Sequence, residues 1–321
     1  MQATEKIAIT NNTIVTASDA NYGWGVFLLI ASARLNSMRE PIIVYAQGYN
    51  DRQLAAIKQF DNVQVLTHID GIDNVSLTKP DLILASKTEY ATWVDCDGFF
   101  TDYCSDLLTP DTPDQIHVRS RSAKELALLK FAYSPSASLK ISPALLETWR
   151  KDVGEGNTPN IDTFVVPNFL SVNKKYFDFI RRWKSQMAIV LNQSVKGVLD
   201  ENNTAYKMMD ESVLNSLLFF MNDCPQVSKI FKLSENPQRR YLHMPLSPKP
   251  WIRWNKYNMR YFDRYISLVE RVLDKGLELP APLPYTLMRC NRTKCNILAQ
   301  AMPFIEMPKR VVKKFKNTIL P

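Results

Sequence analysis

The chain reads as an α/β protein built on a mostly parallel sheet. Two observations predict this: strand and helix signals alternate through the first hundred residues, and Thr13–Ala17 at their start reads as a buried strand. A third feature places the chemistry. The pair Asp95 and Asp97, the one Asp-x-Asp in the sequence, follows an apolar strand, and ligands of open α/β sheets sit at the carboxyl ends of strands.

The elements follow in order. Thr13–Ala17 is a buried strand, and Gly25–Leu35 a helix with Val26, Leu29, Ile30 and Ala33 on one face. Pro41–Tyr45 is the second strand. Asp51 caps a short helix that ends near Phe60, and Val63–Leu66 is the third strand. A helix from Pro80 to Glu89 leads into the strand Ala91–Asp95. Lys151–Asn160, with Gly154, Gly156 and Pro159, reads as a mobile loop. Phe164–Val172 is a further strand, and a helix follows through Phe177, Ile180 and Trp183. Asp210–Met221 is read as an amphipathic helix.

Bulk properties narrow the function. With 321 residues, 45% hydrophobic and 22% charged, the chain can bury a large core and is not a disordered type. A net charge of +8 favours anionic partners, but no nucleic-acid motif accompanies it, so nucleic acid is not expected as a partner. Only nine glycines are present and no Gly-x-Gly-x-x-Gly follows a strand, so a dehydrogenase-type cofactor fold is unsupported. The five cysteines are scattered and odd in number, which suits reduced thiols in the cytoplasm. Met1–Lys6 lacks the regions of a signal peptide, and the longest apolar stretch, Val26–Ala33, is too short to span a bilayer.

Residues i and i+2 of an extended strand point to the same side, so Asp95 and Asp97 can reach one ion. Far along the chain, His243 and Lys249 in the segment His243–Trp251 add an imidazole and a cation. Two carboxylates, an imidazole and a lysine can hold a divalent metal against a diphosphate. Asp-Cys-Asp-Gly also resembles the haloacid-dehalogenase-like phosphatases, in which the first aspartate, here Asp95, is the nucleophile; Phe99 stands where their threonine usually follows.

With these segments in hand, the chain resembles glycosyltransferase family 8, the group of glycogenin and bacterial lipopolysaccharide sugar transferases. Four motifs fall in the family's order over roughly residues 13–255. Thr16–Tyr22 matches its first-strand nucleotide segment and Asp95-Cys96-Asp97 its metal motif. Asp210–Asn215 is similar to its Asp-Gln-Asp-x-Leu-Asn helix, and His243–Trp251 to its His-x-x-Gly-x-x-Lys-Pro-Trp segment. Departures are Leu246 at the glycine position, Glu211 and Ser212 in place of Gln and Asp, and Val166-Pro167-Asn168 as a faint echo of an Asn-Ser-Gly strand, with Asn173 recurring after it.

The resemblance implies a GT-A-like fold with a Rossmann-like nucleotide-binding half. It implies a metal-dependent transferase that moves a hexose from a UDP-sugar to a glycan with retention of configuration. Asp95, Asp97 and His243 become the metal ligands, with Mn²⁺ favoured over Mg²⁺ because a nitrogen ligand is present. Ala17, Asp19, Asn21, Tyr22, Lys79, Asp95, Cys96, Asp97 and Lys249 become the donor-binding set, although Asp19 and Asn21 equally suit a helix cap. Asp210 and Glu211 become the catalytic-site acids contacting the donor sugar or acceptor. A nucleotide-sugar-binding protein without turnover is the remaining alternative.

Residues 1–280 are expected to form the transferase domain and residues 281–321 a basic extension. From Met288 onward there are eight Lys or Arg residues against Glu306 alone. Val311, Val312, Phe315 and Ile319 fall along one face of a helix over Met307–Leu320. Such a tail suits an anionic membrane surface, giving a lipid-linked glycan acceptor and a peripheral position on the inner face of the membrane.

Overall fold

The computed structural model describes residues 11–69, 74–192, 204–229 and 240–301. The tail helix expected over Met307–Leu320 lies outside them. In chain order the elements are β1 (Asn12–Asp19), α1 (Gly23–Leu35), β2 (Ile42–Gln47), α2 (Asp51–Lys58), β3 (Val63–Leu66), α3 (Lys79–Ala85), β4 (Tyr90–Val94) and β5 (Gly98–Phe100). Then come β6 (Gln115–Ser120), α4 (Ala123–Leu126), α5 (Pro143–Val153), β7 (Val165–Asn173), α6 (Phe177–Asn192), α7 (Met209–Phe220), β8 (Gln226–Lys229), β9 (Tyr241–His243) and α8 (Phe262–Asp274).

Seven strands form one sheet in the order β3-β2-β1-β4-β7-β6-β8. The pairs β3–β2, β2–β1, β1–β4 and β6–β8 are parallel, and β7 runs antiparallel to both β4 and β6. The expected α/β class with a mostly parallel sheet is the one observed. Strand alternation sends Ile14, Ile42, Val44 and Val94 to one face and Val15, Ala17, Ile43, Tyr45 and Trp93 to the other, so each face carries its own core. Strands covered on both sides read as continuous apolar runs, which is why this half was visible in the sequence.

Several elements depart from expectation for local reasons. Helix α1 is buried on every side from Gly23 to Ala33 rather than along one stripe. Asn50, not Asp51, caps α2: its side chain accepts from Gln53 N while the Gln53 side chain accepts from Asn50 N. Helix α3 stops at Ala85, because Ser86 turns extended and its hydroxyl pairs with that of Thr88. Helix α7 is not amphipathic: Glu211–Phe220 are all buried, since it lies against α5, α6 and β7.

The loop expected over Lys151–Asn160 is anchored. Helix α5 runs to Val153, Gly154 caps it at φ 73°, and Gly156 N and Asn160 N donate to Phe220 O and Phe219 O at 2.7 and 2.8 Å. Past residue 280 the chain stays on the core: Leu287, Cys295 and Ala299 are buried with the first-face cluster, and Trp254 Nε1 donates to Thr286 O. No helix among the described residues is long and apolar enough to cross a membrane.

Candidate active site

The site forms where β4 ends. Asp95 N donates to Asn168 O of the neighbouring β7 at 3.0 Å, and Gly98 N closes a turn onto Asp95 O at 3.1 Å. The chain then enters β5, which pairs antiparallel with β9 in the register Gly98↔His243. Met244 N donates to Asp97 O at 3.0 Å, extending that ladder. Glycine is required at 98, because a Cβ there would lie 2.0 Å from the Tyr241 hydroxyl.

This ribbon brings together the three residues expected to hold a metal. His243 Nε2 lies 2.9 Å from Asp97 Oδ1 and 3.5 Å from Asp95 Oδ2. One ligand atom from each residue lies within 4.8 Å of the others. The second oxygen of each carboxylate is held from outside. Asp95 Oδ1 accepts from Trp93 Nε1 at 2.7 Å and faces Lys79 Nζ at 3.3 Å, while Asp97 Oδ2 accepts from Lys249 Nζ at 2.5 Å. The free edges of both acids therefore converge on one imidazole nitrogen.

The charges are mutually dependent. Burial by itself would raise the proton affinity of Asp97, but His243 and Lys249 outweigh it and hold the carboxyl well below the usual carboxylate range. Lys79 is likewise buried, and Asp210 (2.8 Å) and Asp95 overcome the desolvation and keep it firmly protonated. The Cys96 thiol is pushed up, first by burial and then by its acidic neighbours, so it is a neutral group between them.

The residues expected at the nucleotide lie on the adjoining rim. Ala17 is buried near the end of β1, and Asp19 Oδ1 accepts from Asn21 N, capping the turn Ala20–Tyr22. Asn21 O accepts from Trp251 Nε1 at 3.0 Å. Tyr22 meets the Trp251 ring edge-on at 5.6 Å, and Lys249 Nζ lies 5.7 Å over the Tyr22 ring. Beneath them Gly25 permits a close approach: a Cβ there would sit 2.6 Å from Cys96 O and 2.9 Å from the Trp251 ring. The segments around residues 20, 96 and 250 thus form one packed unit.

On the far side, Asp210 reaches the acidic pair through Lys79, whose Nζ also donates to Pro167 O. Glu211 is turned away into a buried pair with Arg121, whose Nε and second guanidinium nitrogen both donate to Oε1 at 3.0 and 2.6 Å. Burial pushes the Glu211 carboxyl up to about 7, and Arg121 offsets this only in part. The sequence reading missed Arg121, Trp93, Tyr241 and Asn168. Arg121, Tyr241 and Asn168 act across elements far apart in the chain, with Asn168 in the faint Val166–Asn168 echo, whereas Trp93 lies two residues from Asp95 and its role shows only in the bond from its indole to that carboxylate.

The donor set suits a divalent ion. Two carboxylate oxygens and an imidazole nitrogen are ordinary ligands, and adjacent ligands of an octahedral ion with bonds of about 2.1 Å lie about 3 Å apart. The separation of 2.9 Å matches that spacing, and the one of 3.5 Å is somewhat wider.

The whole chain can now be set beside known structures. The apo structure of WbbM, a bifunctional glycosyltransferase, superposes with a TM-score of 0.56 over 91% of this chain at 15% identity. Its fold is one that glycosyltransferases use. The chain spans about half of WbbM, 52% of its length. The galactosyltransferase LgtC, solved with donor and acceptor sugar analogues, aligns over 74% of this chain and 89% of its own at 13% identity and a TM-score of 0.47; an active-site variant of LgtC gives the same values. No protein-family model and no curated protein matches the sequence.

Proposed function

We propose that the protein is a metal-dependent glycosyltransferase that moves a hexose from a UDP-sugar to a glycan acceptor with retention of configuration, in the manner of glycosyltransferase family 8. One observation carries the reading: Asp95, Asp97 and His243, from segments far apart in the chain, converge within 4.8 Å at the carboxyl end of a parallel sheet. The fold shared with WbbM supports it, as do the four ordered motifs.

In this reading Asp95, Asp97 and His243 hold Mn²⁺, with Mg²⁺ as the lesser ion. A bound ion there would supply Lewis-acid neutralisation of the departing diphosphate. Lys249, 4% exposed and already poised against Asp97, turns its charge to the same diphosphate. Ala17, Asp19, Asn21 and Tyr22 take the uridine, with Tyr22 offering a ring face and Cys96 its backbone. Lys79 links the ion site to Asp210, which reaches the donor-sugar hydroxyls, and Glu211 with Arg121 supports that wall. The domain is extended past residue 280, because Leu287, Cys295 and Ala299 pack in its core. The basic residues from Lys309 onward serve an anionic membrane surface and a lipid-linked acceptor on the cytoplasmic side.

The test is a panel of UDP-sugars with Mn²⁺, scored for hydrolysis and for protection against thermal unfolding. Asp97→Ala should keep the fold and lose both Mn²⁺-dependent UDP binding and turnover. Wild-type turnover in that variant would sink the ion-site assignment, and a β-configured product would remove retention.

A further inference from the structure

A cavity of about 570 Å³ opens between β5 and α8, apart from the ion-binding corner. That size suits a small molecule. Its helical wall is Arg264, Ser267, Leu268 and Arg271, an i, i+3, i+4, i+7 stripe of α8. Arg240 joins them from the segment that enters β9, where Thr101 N donates to Arg240 O at 2.7 Å. Phe99, Phe100 and Leu268 are buried and supply an apolar floor. Three guanidinium groups from two distant segments thus ring an apolar base.

The acids at hand do not match these charges. Arg240 is held by Asp106 through two bonds of 2.7 and 2.8 Å. Arg271 donates to Leu35 O at 2.6 Å and to Asn36 Oδ1 at 3.1 Å, neither of them a carboxylate. Arg264 is exposed and has no hydrogen bond or ion pair among the described residues. Of the two acids in the wall, Asp263 is taken by Arg292 at 2.9 Å and Arg289 at 3.5 Å, and Asp102 accepts from Tyr103 N at 2.8 Å. Two guanidinium charges therefore remain against one carboxylate. Closing off the last turn of α1 explains Arg271. It does not explain Arg264, two turns away on the same stripe.

We infer that the cavity binds a phosphate monoester together with the sugar or lipid headgroup that carries it. Guanidinium forks match phosphate oxygens, and three forks exceed what the two oxygens of a lone carboxylate can use. Two of the arginines are already fixed by their neighbours, so the clamp is largely formed before binding. The floor takes an apolar carbon face, while Ser267 and Asp102 meet hydroxyls. Arg240 stands three residues from His243, about 10 Å along the strand, so this phosphate is separate from any diphosphate at the ion corner. The inference is independent of the transferase reading.

The test titrates glucose 6-phosphate, glucose and inorganic phosphate into the full chain by calorimetry, without divalent metal. Glucose 6-phosphate should bind at least about tenfold more tightly than glucose. Arg264→Glu should weaken that binding about 10–100-fold and leave Tm at the wild-type value, because Arg264 has no partner among the described residues to lose. Arg271→Gln, which keeps a donor for Leu35 O, should weaken it in the same direction. Folded Asp97→Ala should bind as wild type does. Vesicles of phosphatidylcholine with and without phosphatidic acid separate the sources. Capture that depends on phosphatidic acid and on Arg264, without binding of glucose 6-phosphate, assigns the phosphate to a lipid headgroup and sustains the site. Equal affinity for glucose and glucose 6-phosphate, with no Arg264-dependent capture, overturns the inference, as does undiminished binding in Arg264→Glu. Loss of binding in Asp97→Ala places the ligand at the ion corner and overturns it too.

Discussion

Replacing Gly25 with alanine tests whether the nucleotide rim and the acidic loop are one packed unit. Gly25 lies within α1, where alanine by itself would gain about 1 kcal/mol of helix propensity. The new methyl carbon would meet Cys96 O at 2.6 Å and the Trp251 ring at 2.9 Å, against 3.4–4 Å for ordinary contact. Neither neighbour can yield easily. Cys96 O is backbone between Asp95 and Asp97, and the Trp251 indole is pinned by its bond to Asn21 O. Overpacking of this kind costs about 1–3 kcal/mol per site, and two contacts place the cost at the upper end. The net loss is then about 2 kcal/mol, a fall of about 3 °C in Tm for a chain of this length. Displacing Cys96 also moves both acids, so Mn²⁺ affinity should fall about tenfold, or about 1.4 kcal/mol. The assays are thermal unfolding and Mn²⁺ titration of the variant. A Tm at or above wild type with unchanged affinity would refute the close contact.

Three further outcomes are expected. Glu211, normally near 4.5, is pushed up to about 7 by burial, so the native state keeps this proton over a range where the unfolded chain has released it. Raising the pH from about 4.5 to about 7 should therefore cost the wild type on the order of a few kcal/mol relative to Glu211→Gln; urea unfolding at pH 5, 6, 7 and 8 reads this, and a flat difference between the two proteins refutes it. Truncation after residue 280 should destabilise the fold, because Leu287, Cys295 and Ala299 are buried. Truncation after Ala301 should lower co-sedimentation with anionic vesicles, and equal co-sedimentation would exclude the tail as the anchor.

The parts of the fold legible in the sequence are those whose signals are local. β1 to β4 are short runs rich in β-branched and aromatic residues separated by helical spacing, and each can be recognised within ten residues. β5 and β9 have three residues each, too short for any periodicity, and exist because they pair with each other. The antiparallel insertion of β7 is equally invisible, since strand direction is fixed by neighbours. Helix α8 is a different omission: Phe262, Tyr265, Ile266, Val269 and Val272 recur at helical spacing and are all buried.

The candidate site divides the same way. Asp95 and Asp97 announce themselves by spacing, while His243 and Lys249 are picked out by the chemistry they add and placed in order by the resemblance. Arg121 and Asn168 are ordinary residues until the fold sets them beside Glu211 and Asp95. The loop Lys151–Asn160 shows the opposite failure: glycine and proline suggested mobility, whereas Gly156 is small so that its backbone can meet Phe220 O at 2.7 Å.

The three-rung ladder between β5 and β9 separates two design problems. The distance from Asp97 to His243 is set by backbone pairing at Gly98↔His243, independent of how much polypeptide runs between them. Changes of length in the loops of that excursion leave Asp97 beside His243 so long as the rungs and the strands of the sheet survive. The surface loops of the intervening stretch can therefore diverge while that corner stays constant.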